Sequence, residues 1–263
     1  MKSVLILRGW MPGCLSLPSV WPWVSIFFAV GGIVNNSLSK TLWKFCCKDK
    51  VWTKGACLIE ARARHSSVIV NGVLYISGGV KMDQSVIPMT EIHAYDIKTN
   101  TWKHVGENNT PKLQSTLLGF DGTLYELGGK MEGAYTSTME TYKISNNGLI
   151  MGSGEHYVLP CNGDPGPLRA VLDDKELIII LWEHTGQLFS LNTNGRRFYP
   201  IEHTMTQVSG CLISFNHKAY IVGGHENGVA CREGQVLDLT TLTSQTLPLP
   251  SELIVHRCVH VKM

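Results

Sequence analysis

The chain has 263 residues and a formal net charge of +2, from 23 Lys and Arg against 21 Asp and Glu. This balance argues against nucleic acid or an acidic surface as the partner, because binding to either requires an excess of positive charge. A chain of this length can bury a substantial core as one domain.

Residues 1–25 form an atypical segment. The apolar run Val4–Leu7 resembles part of a signal peptide or a membrane segment. Arg8 and Pro12 interrupt this run, and Pro18 and Pro22 break the next one. Because a helix that crosses a bilayer needs about 20 consecutive apolar residues, we expect no membrane association. A signal, a truncation and an isoform end stay open as explanations of the segment.

From residue 26 onward, apolar runs end repeatedly in two glycines. The pairs are Gly31-Gly32, Gly78-Gly79, Gly128-Gly129 and Gly223-Gly224. Their first members lie 47, 50 and 95 residues apart, so the last interval spans two periods. Internal similarity with a period of about 50 residues is typical of stacked β-sheet blades.

The second copy shows how one repeat is built. Ser66–Val70 is rich in β-branched residues, Asn71-Gly72 is typical of a tight hairpin turn, and Val73–Ser77 is the returning strand. Glu91–Ile97 then alternates apolar and polar residues, and Thr101-Trp102 opens a fourth strand. The pattern therefore predicts four antiparallel strands in each repeat.

We predict five such repeats, followed by one closing strand. The repeats span 26–52, 64–102, 113–150, 168–199 and 208–247, and the closing strand spans 256–263. The fourth repeat carries Leu181-Trp182 where two glycines are expected, which indicates a degenerate blade with a reshaped loop. We expect Cys258–Lys262 to pair with Ile26–Val30, so that strands from both chain ends share one blade.

These features together resemble the kelch repeat. Tyr95-Asp96 and the tryptophans Trp52 and Trp102 stand where that repeat has its aromatic residues. Arg64-His65-Ser66 and Asn100-Thr101-Trp102 resemble the kelch-like (BTB-BACK-kelch) subfamily in particular. The resemblance covers 26–263 and implies an all-β fold, a kelch β-propeller of about five four-stranded blades. Because propellers of this family usually have six blades, a count of five or six stays open.

The resemblance also implies a function in protein binding. The chain is similar to the substrate-recognition module of cullin-RING ubiquitin ligase adaptors, which act in the ubiquitin-like conjugation pathway. In that family, BTB and BACK domains contact the ligase, and only about 25 residues precede the first repeat here. We therefore do not expect this chain alone to recruit a ligase. The alternative is a cytoskeletal (actin-binding) or scaffolding kelch protein.

The repeat separates structural positions from candidate binding positions. We expect all eight paired glycines to be structural, and Trp52 and Trp102 to pack between blades. The loops after the glycine pairs differ between copies, and loops on a rigid scaffold commonly carry recognition residues. We expect them to bind a protein or peptide through Asn35, Asn36, Lys81, Asp83, Gln84, Lys130, Glu132, Tyr135, His184, His225, Glu226 and Asn227.

No pattern in the chain indicates catalysis. Motifs for nucleophilic, zinc-dependent and phosphate-binding chemistry are absent from the sequence. The eight cysteines include no Cys-x-x-Cys pair, and we interpret His256, Cys258 and His260 as ordinary strand residues. We therefore predict a protein that is not an enzyme and has no cofactor or metal. Unpaired cysteines fit a reducing compartment, which predicts a cytoplasmic location.

Overall fold

The computed structural model describes residues 6–9, 26–46, 49–83, 85–161, 165–173, 177–192, 197–207, 210–226, 229–231 and 233–248. All regular secondary structure in these residues is β-strand. Among them, no helix is long and apolar enough to span a bilayer. The chain divides into two compact units, 1–126 with 140–155 and 263, and 127–139 with 156–262.

The strands follow the predicted repeats. The first repeat contains β1 (Ile6–Gly9), β2 (Ile26–Val30), β3 (Ile33–Val34), β4 (Ser37–Leu38), β5 (Leu42–Cys46) and β6 (Val51–Lys54). The second contains β7 (Ser66–Val70), β8 (Val73–Ser77), β9 (Val80–Asp83), β10 (Ser85–Pro88), β11 (Glu91–Asp96) and β12 (Thr101–Glu107). The third contains β13 (Thr116–Phe120), β14 (Thr123–Leu127), β15 (Lys130–Met131), β16 (Ala134–Tyr135), β17 (Thr138–Ile144) and β18 (Ile150–Val158). The fourth contains β19 (Leu168–Leu172), β20 (Leu177–Trp182), β21 (Gln187–Asn192) and β22 (Arg197–Thr204). The fifth contains β23 (Cys211–Phe215), β24 (Lys218–Val222), β25 (His225–Glu226), β26 (Val229–Ala230), β27 (Glu233–Asp238) and β28 (Ser244–Pro248).

Each repeat forms one four-stranded antiparallel sheet. In the second repeat the strand order is β7, β8, β11, β12, and the other four sheets follow the same order. The two short strands in four of the repeats form a separate two-stranded ribbon in the loop after the paired glycines. The prediction of four strands per repeat is therefore confirmed.

The first sheet differs from our expectation at its inner edge. Strand β2 pairs on one side with β5 and on the other with β1, in the register Ile6 to Ala29. Because a strand has only two edges, the position that we assigned to Cys258–Lys262 is filled by Ile6–Gly9. The predicted closing strand, 256–263, lies outside the described residues.

Each compact unit has its own hydrophobic core. In the first unit, buried side chains of the second and third sheets pack together, among them Val68, Ile92, Leu117 and Tyr142. In the second unit, the fourth and fifth sheets contribute a matching cluster, which includes Leu181. Residues at alternate strand positions share one face of a sheet, so the apolar alternation of the repeat produces these cores.

All eight paired glycines have positive φ angles, which fits the structural role predicted for them. Gly78 and Gly79 have φ angles of 62° and 91°, in the region that L-residues with side chains avoid. A Cβ atom at Gly79 would lie 2.6 Å from the Ala63 carbonyl oxygen. A Cβ atom at Gly78 would collide with the Lys112 carbonyl oxygen. The Gly79 amide donates to the same Lys112 oxygen at 2.9 Å. At Gly78-Gly79, and likewise at Gly31, glycine thus permits a close approach of two backbone segments.

The two tryptophans differ in their environments. Trp102 donates its indole N–H to the Ala56 carbonyl oxygen at 2.9 Å, and Ala56 lies in the segment between the first two sheets. Trp102 therefore links two blades, as predicted. Trp52 is 46% exposed and packs against Phe45 of its own sheet, with ring centroids 5.0 Å apart. This ring contact lies within one sheet, and the packing of Trp52 between blades stays a prediction.

The cysteines also depart in part from our expectation. Cys46, Cys57, Cys161 and Cys231 are free thiols. Cys211 is disulfide-bonded, so the interpretation that every cysteine is unpaired is wrong at this residue.

We predict that Gly79→Ala destabilises the fold much more than Gly72→Ala. Both glycines have positive φ, but a Cβ atom at Gly72 meets nothing within 4 Å. The Gly72 variant should therefore lose only about 1 kcal/mol of unfolding free energy, and the Gly79 variant at least about 2 kcal/mol more. Denaturant unfolding of both variants measures the difference. Equal losses would contradict the close approach at Gly79.

Candidate functional site

The variable loops are short β-ribbons whose turns require particular residues. In the first repeat, Asn35 and Asn36 join β3 to β4 with φ angles of 49° and 61°. In the third, Glu132 and Gly133 join β15 to β16 with φ angles of 49° and 94°. Asparagine and glycine tolerate such angles. The backbone of the turn therefore accounts for part of the residue choice at Asn35 and Asn36, but not at Glu132.

Two of these ribbons border a cavity of about 530 Å³ in the first compact unit. Ribbon β3–β4 supplies one part of its lining, strand β9 another, and the segment between the first two sheets a third. We call this cavity the loop groove. Its lining residues are Ile33, Asn36, Ser37, Leu38, Lys40, Glu60, Ala61, Lys81, Met82 and Asp83.

A pair of ionic contacts fixes the position of Lys81 in the groove. Its amine lies 3.3 Å from the carboxylate of Glu60 and 3.8 Å from that of Glu91. The hydrogen bond to Glu60 and the two negative charges raise the pKa of Lys81. Partial burial acts to raise the pKa of Glu91, but its own backbone N–H and the charges of Lys81 and Arg62 outweigh this and lower it.

A buried arginine lies next in sequence to the groove lining. The guanidinium of Arg62 donates to the carbonyl oxygens of Gly78 at 3.2 Å and Glu91 at 3.1 Å. A second terminal nitrogen of Arg62 lies 3.1 Å from Nδ1 of His93. Burial lowers the pKa of Arg62 to about 10, although the negative charges of Glu91 and Glu60 act to raise it. The Arg62 side chain thereby ties the glycine pair to strand β11.

Two histidines near Arg62 are held in the neutral form. Burial and then the charge of Arg62 lower the pKa of His65 to about 3. The same two causes, with a smaller contribution from His104, lower the pKa of His93 to about 4, while Glu91 acts in the opposite direction. Neutral His93 can accept a hydrogen bond from Arg62.

In two other repeats, the residue at the position of His93 also has a polar partner from the segment that enters the sheet. In the third repeat, the buried amine of Lys112 lies 2.9 Å from Glu140. In the fifth, the backbone N–H of Thr206 donates to Gln235 at 3.1 Å. Sequence reasoning missed these contacts. The sequence does contain one regularity that points to them, because Arg62 and Lys112 each stand 16 residues before the first glycine of a pair.

A second buried network joins the second and third sheets. The hydroxyls of Ser66, Ser77 and Ser115 donate to one oxygen of Glu126 at 3.4, 3.0 and 2.7 Å. Burial raises the pKa of Glu126, and the charge of Lys112 opposes the shift. The described residues contain no group of three or more His, Cys, Asp or Glu placed to hold a metal ion.

The structure brings some of the predicted binding residues together. Asn36, Lys81 and Asp83 line the loop groove, and exposed Asn35 occupies the adjoining turn. In the third repeat, Lys130 lies 5.6 Å above the Tyr135 ring, near exposed Glu132. His184 and Glu226 are exposed on other loops. Gln84, Asn227 and the side chain of His225 lie outside the described residues.

Comparison with known proteins relates the chain to kelch repeats. Residues 61–109 match the model of the Kelch motif. An F-box/kelch-repeat protein of Arabidopsis thaliana is 26% identical over 118 residues, which are 45% of this chain and 28% of that protein. Kelch repeat and BTB domain-containing protein 13 of Homo sapiens is 30% identical over 128 residues, 48% of this chain and 27% of that protein. These matches thus cover less than a third of either relative.

Comparison with solved structures supports the fold. The structure of YjhT aligns with 84% of this chain and 81% of its own, with a TM-score of 0.69 and 12% identity. With the kelch motif match and the five sheets, this confirms the predicted fold class, an all-β β-propeller, for a chain that carries kelch repeats.

We predict that acid destabilises the fold through His93. A histidine whose folded pKa is about 4 and whose unfolded value is about 6.5 contributes stability that is complete above pH 6.5 and is lost as the pH falls towards 4. Between these values, one such group changes the unfolding free energy by about 1.4 kcal/mol per pH unit.

His93→Gln is the informative variant, because the fifth repeat has Gln235 at the same position. Denaturant unfolding from pH 6.5 to 4.5 should show a shallower dependence on pH in the variant. Carboxyl groups such as Glu126 are common to both proteins, so their effect cancels in the comparison. Identical slopes would contradict the assignment of neutral His93.

Proposed function

We propose that this kelch-repeat protein is a substrate-recognition module of the cullin-RING ubiquitin ligase kind, which binds a segment of its protein partner at the loop groove. Kelch propellers are modules of protein interaction, and the groove is the observation that carries the finer proposal. Three residues predicted from loop variability, Asn36, Lys81 and Asp83, line one cavity.

The composition of the groove suits a protein partner. Apolar Ile33, Leu38 and Met82 share the lining with amide, hydroxyl and charged groups. Met82 is 61% exposed, and methionine is enriched in the cores of protein interfaces. A cavity of about 530 Å³ has the size of an ordinary binding pocket.

Several relatives combine kelch repeats with another named domain, either F-box or BTB. The family resemblance implies that BTB and BACK domains make the ligase contact. We therefore assign partner binding to the kelch repeats, and we assign ligase recruitment to a domain other than the repeats.

We further propose a binding role without catalysis. The Lys81 amine lies in hydrogen-bond contact with Glu60 in the loop groove, but Glu60 and Glu91 raise its pKa, and a protonated amine is not a nucleophile. A cytoplasmic location stays a prediction, which the four free thiols favour and the disulfide at Cys211 opposes.

We predict that Met82→Asp reduces partner capture at least about fivefold, because a new charge would have to lose water against an apolar partner surface. The matched control is Met151→Asp, since Met151 is 64% exposed and does not line the groove. Tagged full chains would be captured from cells treated with a proteasome inhibitor. Partners lost from the Met82 variant alone are then examined for ubiquitin attachment.

Three results would contradict the proposal. Equal capture by both variants would remove the groove from partner binding. Cosedimentation of purified chain with filamentous actin, reduced by Met82→Asp, would favour the cytoskeletal alternative. Retention of a cullin by the isolated chain would overturn the assignment of ligase contact to another domain.

A further inference from the structure

The loop groove carries two opposite charges that have no ion-pair partner among the described residues. The Lys40 amine donates to the carbonyl oxygen of Ile59 at 2.9 Å, and no described carboxylate forms an ion pair with it. Asp83 is exposed and likewise has no cation in ion-pair contact within the described part of the chain. Lys81, by contrast, is neutralised by Glu60 and Glu91. Lys40 and Asp83 are therefore available to a ligand.

These two charges lie on different elements of the groove. Lys40 follows ribbon β3–β4, whereas Asp83 ends strand β9. The apolar residues Ile33, Leu38 and Met82 belong to the same lining. A ligand that meets both charges therefore also meets an apolar surface.

The bordering strands favour an extended ligand. Strands β4 and β9 belong to two-stranded ribbons, each with one edge outside the ribbon's own pairing. On β9 that outer edge is bridged at Val80, to Ala63, and Lys81–Asp83 continue beyond the bridge. An extended peptide can add its backbone to such an edge.

Charge complementarity decides the composition of the ligand. A segment with only acidic side chains would meet Lys40 favourably but would be repelled by Asp83 and Glu60. A segment with only basic side chains would be attracted by Asp83 and repelled by Lys40. Like charges placed together reduce affinity and thereby exclude wrong partners.

We propose that the groove recognises an extended protein segment in which an apolar residue lies between one acidic and one basic side chain. The acidic side chain pairs with Lys40, the basic one with Asp83, and the apolar one contacts Met82. This assignment rests on the proposed function and specifies its ligand.

Five fluorescein-labelled peptides test the assignment by fluorescence anisotropy with the full chain. Their sequences are Gly-Glu-Leu-Lys-Gly, Gly-Lys-Leu-Glu-Gly, Gly-Glu-Leu-Glu-Gly, Gly-Lys-Leu-Lys-Gly and Gly-Gln-Leu-Gln-Gly. One of the two mixed-charge peptides should bind about fivefold more tightly than each of the other four, since one exposed charge contact contributes up to about 1 kcal/mol. The preference should weaken in 0.5 M salt, where the screening length is a few Å.

The double variant Lys40→Glu with Asp83→Lys is the decisive control, because it exchanges the two charges and keeps the net charge. It should prefer the other mixed-charge peptide. Thermal unfolding checks that the variant is folded, and Lys98→Glu, an exposed change outside the groove, should keep the original preference.

The outcomes separate this inference from the proposed function. A preference for a like-charged or neutral peptide, an unchanged preference in the double variant, or no binding of any peptide would overturn the inference. If Met82→Asp still abolished partner capture, the proposed function would stand without it. If capture were also unaffected by Met82→Asp, both would fail.

Discussion

The close approach of backbone at the paired glycines is the constraint on which the rest of the structure depends. The Arg62 carbonyl oxygen accepts the amide of Gly32 at 2.8 Å, and the Lys112 oxygen accepts that of Gly79 at 2.9 Å. In each case a Cβ on the first glycine would occupy the space of that same oxygen. The segments that enter the second and third sheets are therefore fastened to the loops of the sheets before them, and a side chain at the glycine would separate them.

The residue that supplies this carbonyl also supplies a buried cation. Arg62 binds the glycine loop through its backbone and reaches Gly78 and Glu91 through its guanidinium. Glu91 in turn faces Lys81 of the loop groove, 3.8 Å away. A continuous set of contacts thus runs from the backbone constraint to a charged residue of the loop groove. Because buried charges are stable only when paired and hydrogen-bonded, this set also limits how far the groove can rearrange.

Much of this architecture could be predicted from the repeat, and the exceptions have physical causes. The period predicted the strand Val73–Ser77 and the pair Gly78-Gly79, because every repeat has the same succession of strand, turn and loop. It could not reveal the contact of Arg62 with His93, which joins residues 31 positions apart through their side chains. Nor could it show that Ile6–Gly9 pairs with β2, since the N-terminal strand stands outside the repeat. Loop variability selected Lys81 and Asp83, which line one cavity, but the groove itself depends on how two loops meet.

The fourth repeat shows what happens when the paired glycines are lost. Leu181 takes the place of the first glycine and is fully buried in the core. The chain therefore cannot form the loop that follows the paired glycines in the other repeats. A tight turn closed by the Gly186 amide on the Trp182 carbonyl replaces the ribbon. At Gly186, φ is 74° and a Cβ would collide with the Met205 oxygen. Without a ribbon, this repeat lacks the element that β3–β4 and β9–β10 contribute to the loop groove.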